Sequence, residues 1–365
     1  MPPISLVPGR RPSIVIAAVV YAASVVVTVG CASSDGHGHD HDHHHDHEHH
    51  DHHDHDHDHS DASQAEAPES IRLTGALTPT EHGQAVRIEV REQRTTTAPP
   101  LPPVQHQFDF TIDGTLSAAE PQDDGTSRTT LAFRHIAVTL GVVGQDNGML
   151  SYDSAVDKPG QGNVLADTMH VVAGATCDLR VSEQGELLEL SGLNPLWRRA
   201  NMILAPPATF TAQWAFRDIA MHELVNEALF PPMPRDPVAP GMTWKSEAPT
   251  DIPLTARLVS QRINTLGAPE ARDVLLGVSG DIKAAAPLAG DKDPSVQIKV
   301  HRGKEHGELA INLDKHTLEQ QIESDVTLDL VLKAPAEGKL QQTIERRRTL
   351  TASRQPLPAR AAMLN

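Results

Sequence analysis

The densest coordination chemistry in this chain lies in GHGHDHDHHHDHEHHDHHDHDHDHS, residues 36–60. Fourteen of the 22 histidines fall there: His37, His39, His41, His43, His44, His45, His47, His49, His50, His52, His53, His55, His57 and His59. Neutral imidazole is a good ligand for zinc, nickel, copper and cobalt, and interleaved carboxylates complete coordination shells or hold the imidazoles in orientation. No apolar residue stands between His37 and Ser60, so no buried area offsets the entropy of ordering the segment. The expectation is a disordered tract in which three or four imidazoles gather around an ion in many equivalent ways. Such a tract binds divalent transition metals at several sites of low selectivity.

Charge sharpens this reading. The chain carries −17 with histidine neutral, and residues 1–30 hold two Arg and no acid, which leaves −19 beyond them. Residues 35–61 contribute nine Asp, one Glu and no base, or −10 of that total. Histidine titrates near pH ~6.5, so the tract passes from about −10 to about +4 on acidification, and metal affinity falls with it. The competing reading is a solvated spacer. Spacers, however, are ordinarily built from Ser, Gly, Pro, Gln or Glu rather than from histidine at nearly every second position. Eleven aromatic residues and no basic cluster give no basis for nucleic-acid binding.

Upstream, Arg10 and Arg11 precede an apolar run, IVIAAVVYAASVVVTVG, that ends directly before Cys31. A positive n-region, an apolar stretch and small residues at its end make an export signal. With Thr28-Val29-Gly30-Cys31 at the junction, the signal resembles that of bacterial lipoproteins. The resemblance implies cleavage before Cys31, a lipid on its thiol, and membrane attachment through the acyl group. Ala32 in place of Asp favours the outer membrane over the inner. The run is also at the short limit for an uncleaved transmembrane anchor, which stays open. Cys177 is the one other cysteine, and in TCDLRV it alternates with Leu179 and Val181 as a buried strand residue would.

The elements downstream read as globular. Strand-like alternation occupies 84–93, 104–116, 128–143, 169–182 and 185–190, punctuated by APPLPP, EPQDDG, GQDNG and DKPGQG. At Asn194-Pro195 the period becomes helical, with Asn as N-cap. TFTAQWAFRDIAMHELVNEALF then reads as one helix with Phe210, Trp214, Met221, Val225 and Leu229 on a core-facing stripe. Strands return from residue 241, and in one of them Ile322, Val326, Leu328, Leu330 and Leu332 face away from Glu323, Asp325, Thr327 and Asp329. The fold class expected is α+β, mainly antiparallel β, with about two central helices. It is read as a signal over 1–30, a His/Asp linker over 31–70, a first β block over 71–192, a helical segment over 193–232, a second β block over 233–352 and a disordered tail over 353–365. The blocks form either two lobes or one curled sheet.

Tyr152-Asp153-Ser154, Gly185-Glu-Leu-Leu-Glu-Leu-Ser-Gly and PPMPRDPVAPGMTW, ending at Trp244, resemble segments of a family of uncharacterised bacterial lipoproteins. That resemblance implies a lipid-anchored exported protein and carries over no catalytic residue.

No enzyme motif emerges. His222-Glu-Leu-Val-Asn226 lacks the second histidine of the zinc-protease pattern. Gly160-x-Gly162 is followed by Leu165 with no helix expected, and GVSGD at 277–281 is not a nucleophile elbow. His301 and His306 flank an expected turn. Tyr152, Asp153 and Ser154 fit a capped strand end. The functional expectation is an exported lipoprotein that binds metal through residues 36–60. An envelope carrier of an apolar ligand is the alternative, and a structural partner follows it.

Overall fold

The computed structural model describes residues 70–73, 77–80, 82–145, 148–200, 210–252, 256–268, 273–285, 296–334 and 338–357. The signal, Cys31 and all fourteen histidines of the tract lie outside the described residues.

The first strands are β1 (Gln84–Thr97), β2 (Val104–Leu116), β3 (Glu120–Pro121), β4 (Ser127–Val142) and β5 (Met149–Asp153). Helix α1 (Val164–Met169) precedes β6 (Thr176–Val181) and β7 (Leu187–Ser191). Helices α2 (Leu193–Ala200), α3 (Phe210–Ala215) and α4 (Asp218–Leu229) follow. The chain closes with β8 (Thr243–Pro249), β9 (Leu258–Leu266), β10 (Asp273–Ala284), β11 (Val296–Asn312), β12 (Thr317–Ala334) and β13 (Gly338–Pro356).

All thirteen strands belong to one antiparallel sheet ordered β7-β6-β4-β2-β1-β13-β12-β11-β10-β9-β8, with β3 and β5 attached to β4. The two strand blocks therefore do not form separate lobes. They are seamed at the centre, where Gln84–Thr97 pairs with Thr343–Pro356 residue for residue. β13 runs four residues into the stretch expected to be tail, because β1 supplies partners as far as Gln84.

Period-2 alternation puts one set of side chains on the inner face. On β1, Val86, Ile88 and Val90 are buried, and on β9 every second residue from Leu258 to Leu266 is buried. The chain leaves the sheet at one edge, β7, and re-enters at the other, β8, so the connecting helices must cross the inner face. There, α4 contributes Met221, Val225 and Leu229 to a core shared with Ile112, Leu131 and Phe133 of the sheet.

The sheet is strongly curled. Glu227 of α4 accepts hydrogen bonds from Arg348 Nη2 on β13 at 2.8 Å and from Arg262 Nη2 on β9 at 2.6 Å. Those strands are four places apart, about 19 Å in a flat sheet. One carboxylate reaches both only because the sheet wraps around the helix end. Gly303 and Gly307 of β11 permit the tight coiling. A Cβ on Gly303 would lie 2.5 Å from the Ile282 carbonyl oxygen, and one on Gly307 would lie 2.4 Å from that of Gln321.

Several local expectations are corrected. VLADTM is helix α1, capped by Asn163, whose Oδ1 accepts from the Leu165 and Ala166 amides at 3.1 Å. The alternation read through MHVVAG was accidental, and the strand begins only at Thr176. The single helix expected across 210–229 breaks between Ala215 and Asp218. Asp218 Oδ1 accepts from the Leu193 and Asn194 amides at 2.7 and 3.2 Å, while Asn194 Oδ1 accepts from the Asp218 amide at 3.4 Å. Two helix starts thus satisfy each other's free amides, so Asn194 serves α4 rather than its own helix. Finally, KVHRGKEHGEL contains no turn. It is one strand with a bulge at His301.

Arg354 fixes the segment through which the chain enters the body. Its guanidinium is fully buried and donates to the carbonyl oxygens of Leu77 at 2.5 Å and Thr78 at 2.9 Å, and to Gln84 Oε1 at 2.6 Å. Burial pulls its pKa down to about 9.

Candidate functional site

Beside the purely apolar part of the core, the inner face carries a buried ionic cluster around the C-terminal end of α4. Glu305 of β11 accepts from Arg262 Nε and Nη2 and from Ser260 Oγ. Gln320 Nε2 donates to the carbonyl oxygens of Glu227 and Ala228, both at 2.9 Å, which caps the helix end. Burial alone would raise the Glu227 pKa, but Arg348 and Arg262 overcome it and bring it down to about 2. Arg346 donates to the Thr250 and Asp251 carbonyl oxygens at 2.7 and 3.1 Å, tying the strap after β8 to β13.

A cleft of about 80 Å³ opens next to this cluster. Val90, Phe108, Phe110, Trp214 and Leu224 form its apolar wall, and Glu92, Glu223, Glu227, Asp251 and Arg348 its polar one. Phe108 and Phe110 stand 5.4 Å apart between centroids, and Phe110 meets Phe216 edge-on at 5.7 Å. Trp214 lines this cleft and is only half-buried, so it departs from the core stripe expected for its helix.

The cleft carboxylates are unequal. Glu227 is consumed by two guanidinium groups. Asp251 accepts from the Leu258 amide at 2.6 Å and lies 3.8 Å from the exposed Arg257. Burial raises its pKa above the usual carboxylate range. Glu223 has neither a hydrogen bond nor an ion pair among the described residues, and burial, with Asp251 nearby, raises its pKa too. The Glu92 side chain is 9% exposed, and its closest cation is Arg346 Nε at 3.8 Å. That Nε has no hydrogen-bond partner in its buried position.

No family model and no curated protein matches the chain. Among solved structures, lipovitellin is 12% identical with a TM-score of 0.36, over 78% of this chain and 26% of that one. The chain thus spans about a quarter of the lipovitellin chain. OccK7 (OpdD) of Pseudomonas aeruginosa is 8% identical with a TM-score of 0.21, over 76% of this chain and all of that one. Likenesses this distant carry no argument about what the chain does.

The residues singled out in the sequence separate clearly. The metal-ligand histidines and Cys31 fall outside the described residues. Cys177 is fully buried, and burial with Asp218 and Asp178 pushes its thiol up to about 12, which makes it an inert packing residue. His222 Nε2 lies 3.2 Å from the Leu187 carbonyl oxygen and joins no metal set. His301 pairs with Asp329 at 2.8 Å and His306 with Glu323 at 3.5 Å, so the two histidines do not form a common site.

Tyr152-Asp153-Ser154 ends β5 as a capped turn. Asp153 Oδ1 accepts from the Ala155 amide and Ser154 Oγ from the Ile136 amide. Asp153 also holds His135 Nε2 at 2.9 Å, opposite Asp113 at 3.0 Å on Nδ1. Among the described residues no group of three or more His, Cys, Asp or Glu side chains is placed to hold a metal ion, and no helix is long and apolar enough to cross a membrane.

Sequence reasoning missed the cleft. Its members come from β1, β2, α3, α4, β13 and the strap after β8. The available signal was an acid, Glu223, on the helix that carries the core stripe.

Proposed function

We propose that this chain is an exported, lipid-anchored protein whose segment 36–60 binds divalent transition metals for sequestration, buffering or delivery at the cell envelope. The supporting observation is compositional. Fourteen imidazoles alternate with acidic residues, no base intervenes, and an export signal ends at Cys31. Zinc, nickel, copper and cobalt all suit such ligands, with preference set by availability and by the general order of divalent affinities. The body fits the role of a folded carrier for the tract, since its described histidines are paired or scattered. The alternative, an apolar-ligand carrier, needs a pocket of roughly 300–1,000 Å³. The cleft beside α4 is about 80 Å³.

The test is a zinc and nickel titration of the chain from Cys31 onward, beside the same chain lacking residues 36–60. The proposal expects several bound ions per chain in the first and almost none in the second. Equal, weak binding by both would sink it.

A further inference from the structure

We propose that the entry segment around Leu73 and Leu77 is a strap that lifts off the sheet as a local unit, uncovering an apolar groove on β9 to β12 while the rest of the body stays folded. The tract joins the body through this strap, but the strap's opening does not depend on metal binding.

The two halves of the inner face are covered differently. Helix α4 packs on the half built from β1, β2 and β4. In the other half, Leu73 and Leu77 pack with Leu266, Val274, Leu276, Leu309, Ile311 and Leu318, and are themselves 0% and 2% exposed. Backbone pairing of the strap is sparse. Ile71 and Val238 exchange amide-to-carbonyl bonds at 2.8 and 2.9 Å as an isolated bridge outside the sheet, and the Thr80 carbonyl accepts from the Ala119 amide at 3.1 Å. Packing in the groove is also incomplete. Leu276, Val278, Leu309 and Ile322 share a void of about 10 Å³ with Met233 and Trp244. Trp244 Nε1 is buried without a hydrogen-bond partner among the described residues. A segment held by two apolar anchors and little backbone pairing opens at a lower free energy than the body as a whole.

The latch itself favours opening. β13 carries two buried arginines on its inner face, and each holds two successive carbonyl oxygens of a crossing segment. Arg346 holds Thr250 and Asp251 of the strap after β8, and Arg354 holds Leu77 and Thr78 of the entry segment. Their charges are met differently. Burial lowers the Arg346 pKa, but Glu92, 3.8 Å away, opposes it together with Glu227 and Glu305. Arg354 has only neutral acceptors, Gln84 Oε1 being the third, and no carboxylate among the described residues offsets its burial. The Phe230 ring, 5.5 Å from its guanidinium carbon, is a weaker partner. A buried guanidinium without a counter-ion costs the closed state much of what its hydrogen bonds contribute, and hydration recovers that loss when the strap lifts. Of the two straps, the entry segment is therefore the one that opens.

The experiment is thiol labelling of the chain from residue 31 onward, carrying Cys31→Ser and either Leu73→Cys or Ile252→Cys. Each change puts the same small side chain in place of one buried aliphatic anchor of a strap, 0% and 1% exposed. Cys177, fully buried in the helix-covered half, reports opening of the body in the same molecule. An aromatic disulfide reagent is added in dilute urea, well below the unfolding transition. Expected is labelling of Leu73→Cys at least about tenfold faster than Ile252→Cys, at a rate that barely changes with urea, since a local opening exposes little surface. Cys177 should stay unreacted, and Ile252→Cys should react only as the transition is approached. Labelling of Leu73→Cys with the rate and urea dependence of Cys177 overturns the inference, because the segment then opens only with the whole body. Equal rates for the two straps overturn it too, since the missing counter-ion would not decide which one opens. Early labelling of Cys177 in the Leu73→Cys chain would place the segment in the cooperative core, with the same result.

Discussion

Two regions of this molecule are crowded with ionisable groups, and they use them in opposite ways. In residues 36–60 imidazoles alternate with carboxylates, with no base to neutralise them and no apolar residue to bury them. Around the C-terminal end of α4, carboxylates are matched to guanidinium groups and shut away from water, as Glu227 is between Arg348 and Arg262. Density of charge therefore does not by itself make a site. What matters is whether lone pairs are left over. In the tract the composition supplies no base to take them up, and the proposed metal binding rests on that. Around the end of α4 they have been committed to holding a curled sheet against its helix, with Glu92 ion-paired to Arg346 at 3.8 Å and Glu223 half-buried without a hydrogen bond among the described residues.

The sharpest way to break this comparison is to remove one member of the committed set. Glu227→Ala leaves Arg262 and Arg348 buried without their shared carboxylate, and should cost about 3–5 kcal/mol in urea unfolding. Deleting residues 36–60 should leave the same unfolding curve unchanged. A loss under 1 kcal/mol for Glu227→Ala would mean the cluster is solvated and not a structural clamp.

Acid should separate the regions next. Glu227 has its folded-state pKa depressed from 4.5 to about 2, so its stabilisation is complete above 4.5 and is lost as pH falls towards 2. The tract should release zinc much earlier, as its imidazoles protonate around pH ~6.5. Dialysis and circular dichroism across pH 7 to 3 should show metal leaving a still-folded body.

A smaller effect of opposite sign is expected at Glu223. Its folded-state pKa is raised, so the ionised group opposes folding above the unfolded value, and the penalty disappears below it. Glu223→Gln should therefore be slightly more stable than wild type at pH 7 and equal to it near pH 4, read from thermal unfolding. The smallest effect belongs to His135. Burial lowers its pKa, but the hydrogen bonds to Asp113 and Asp153 outweigh burial and leave it raised. Its stabilisation is present below the ordinary histidine value and fades as pH rises through the raised one. His135→Gln should narrow the stability difference between pH 6 and pH 8.

Much of the fold was legible because half-buried antiparallel strands print their period directly. Val104–Leu116 is a strand with the limits that its alternation gives. What failed were places where a partner distant in sequence decides local structure. Nothing near Arg217 says that a helix must restart there. The cause is Asn194, twenty-four residues earlier, exchanging caps with Asp218. RGKEHG looks like a turn because its glycines are normally read as breaks. In the folded chain they sit where β10 and β12 approach too closely for a Cβ. The cleft was invisible for the same reason, since it exists only once β13 has paired with β1 and the sheet has curled.

The most direct measurement concerns the imidazoles themselves. Replacing all fourteen tract histidines by glutamine keeps the length and every carboxylate of residues 36–60. Equilibrium dialysis against zinc at pH 7.5 should then show the several ions per chain of the wild type reduced to nearly none, with the body still folded. Retention of wild-type zinc binding by the glutamine variant would contradict the account, because the metal would then be held by carboxylates or by the body.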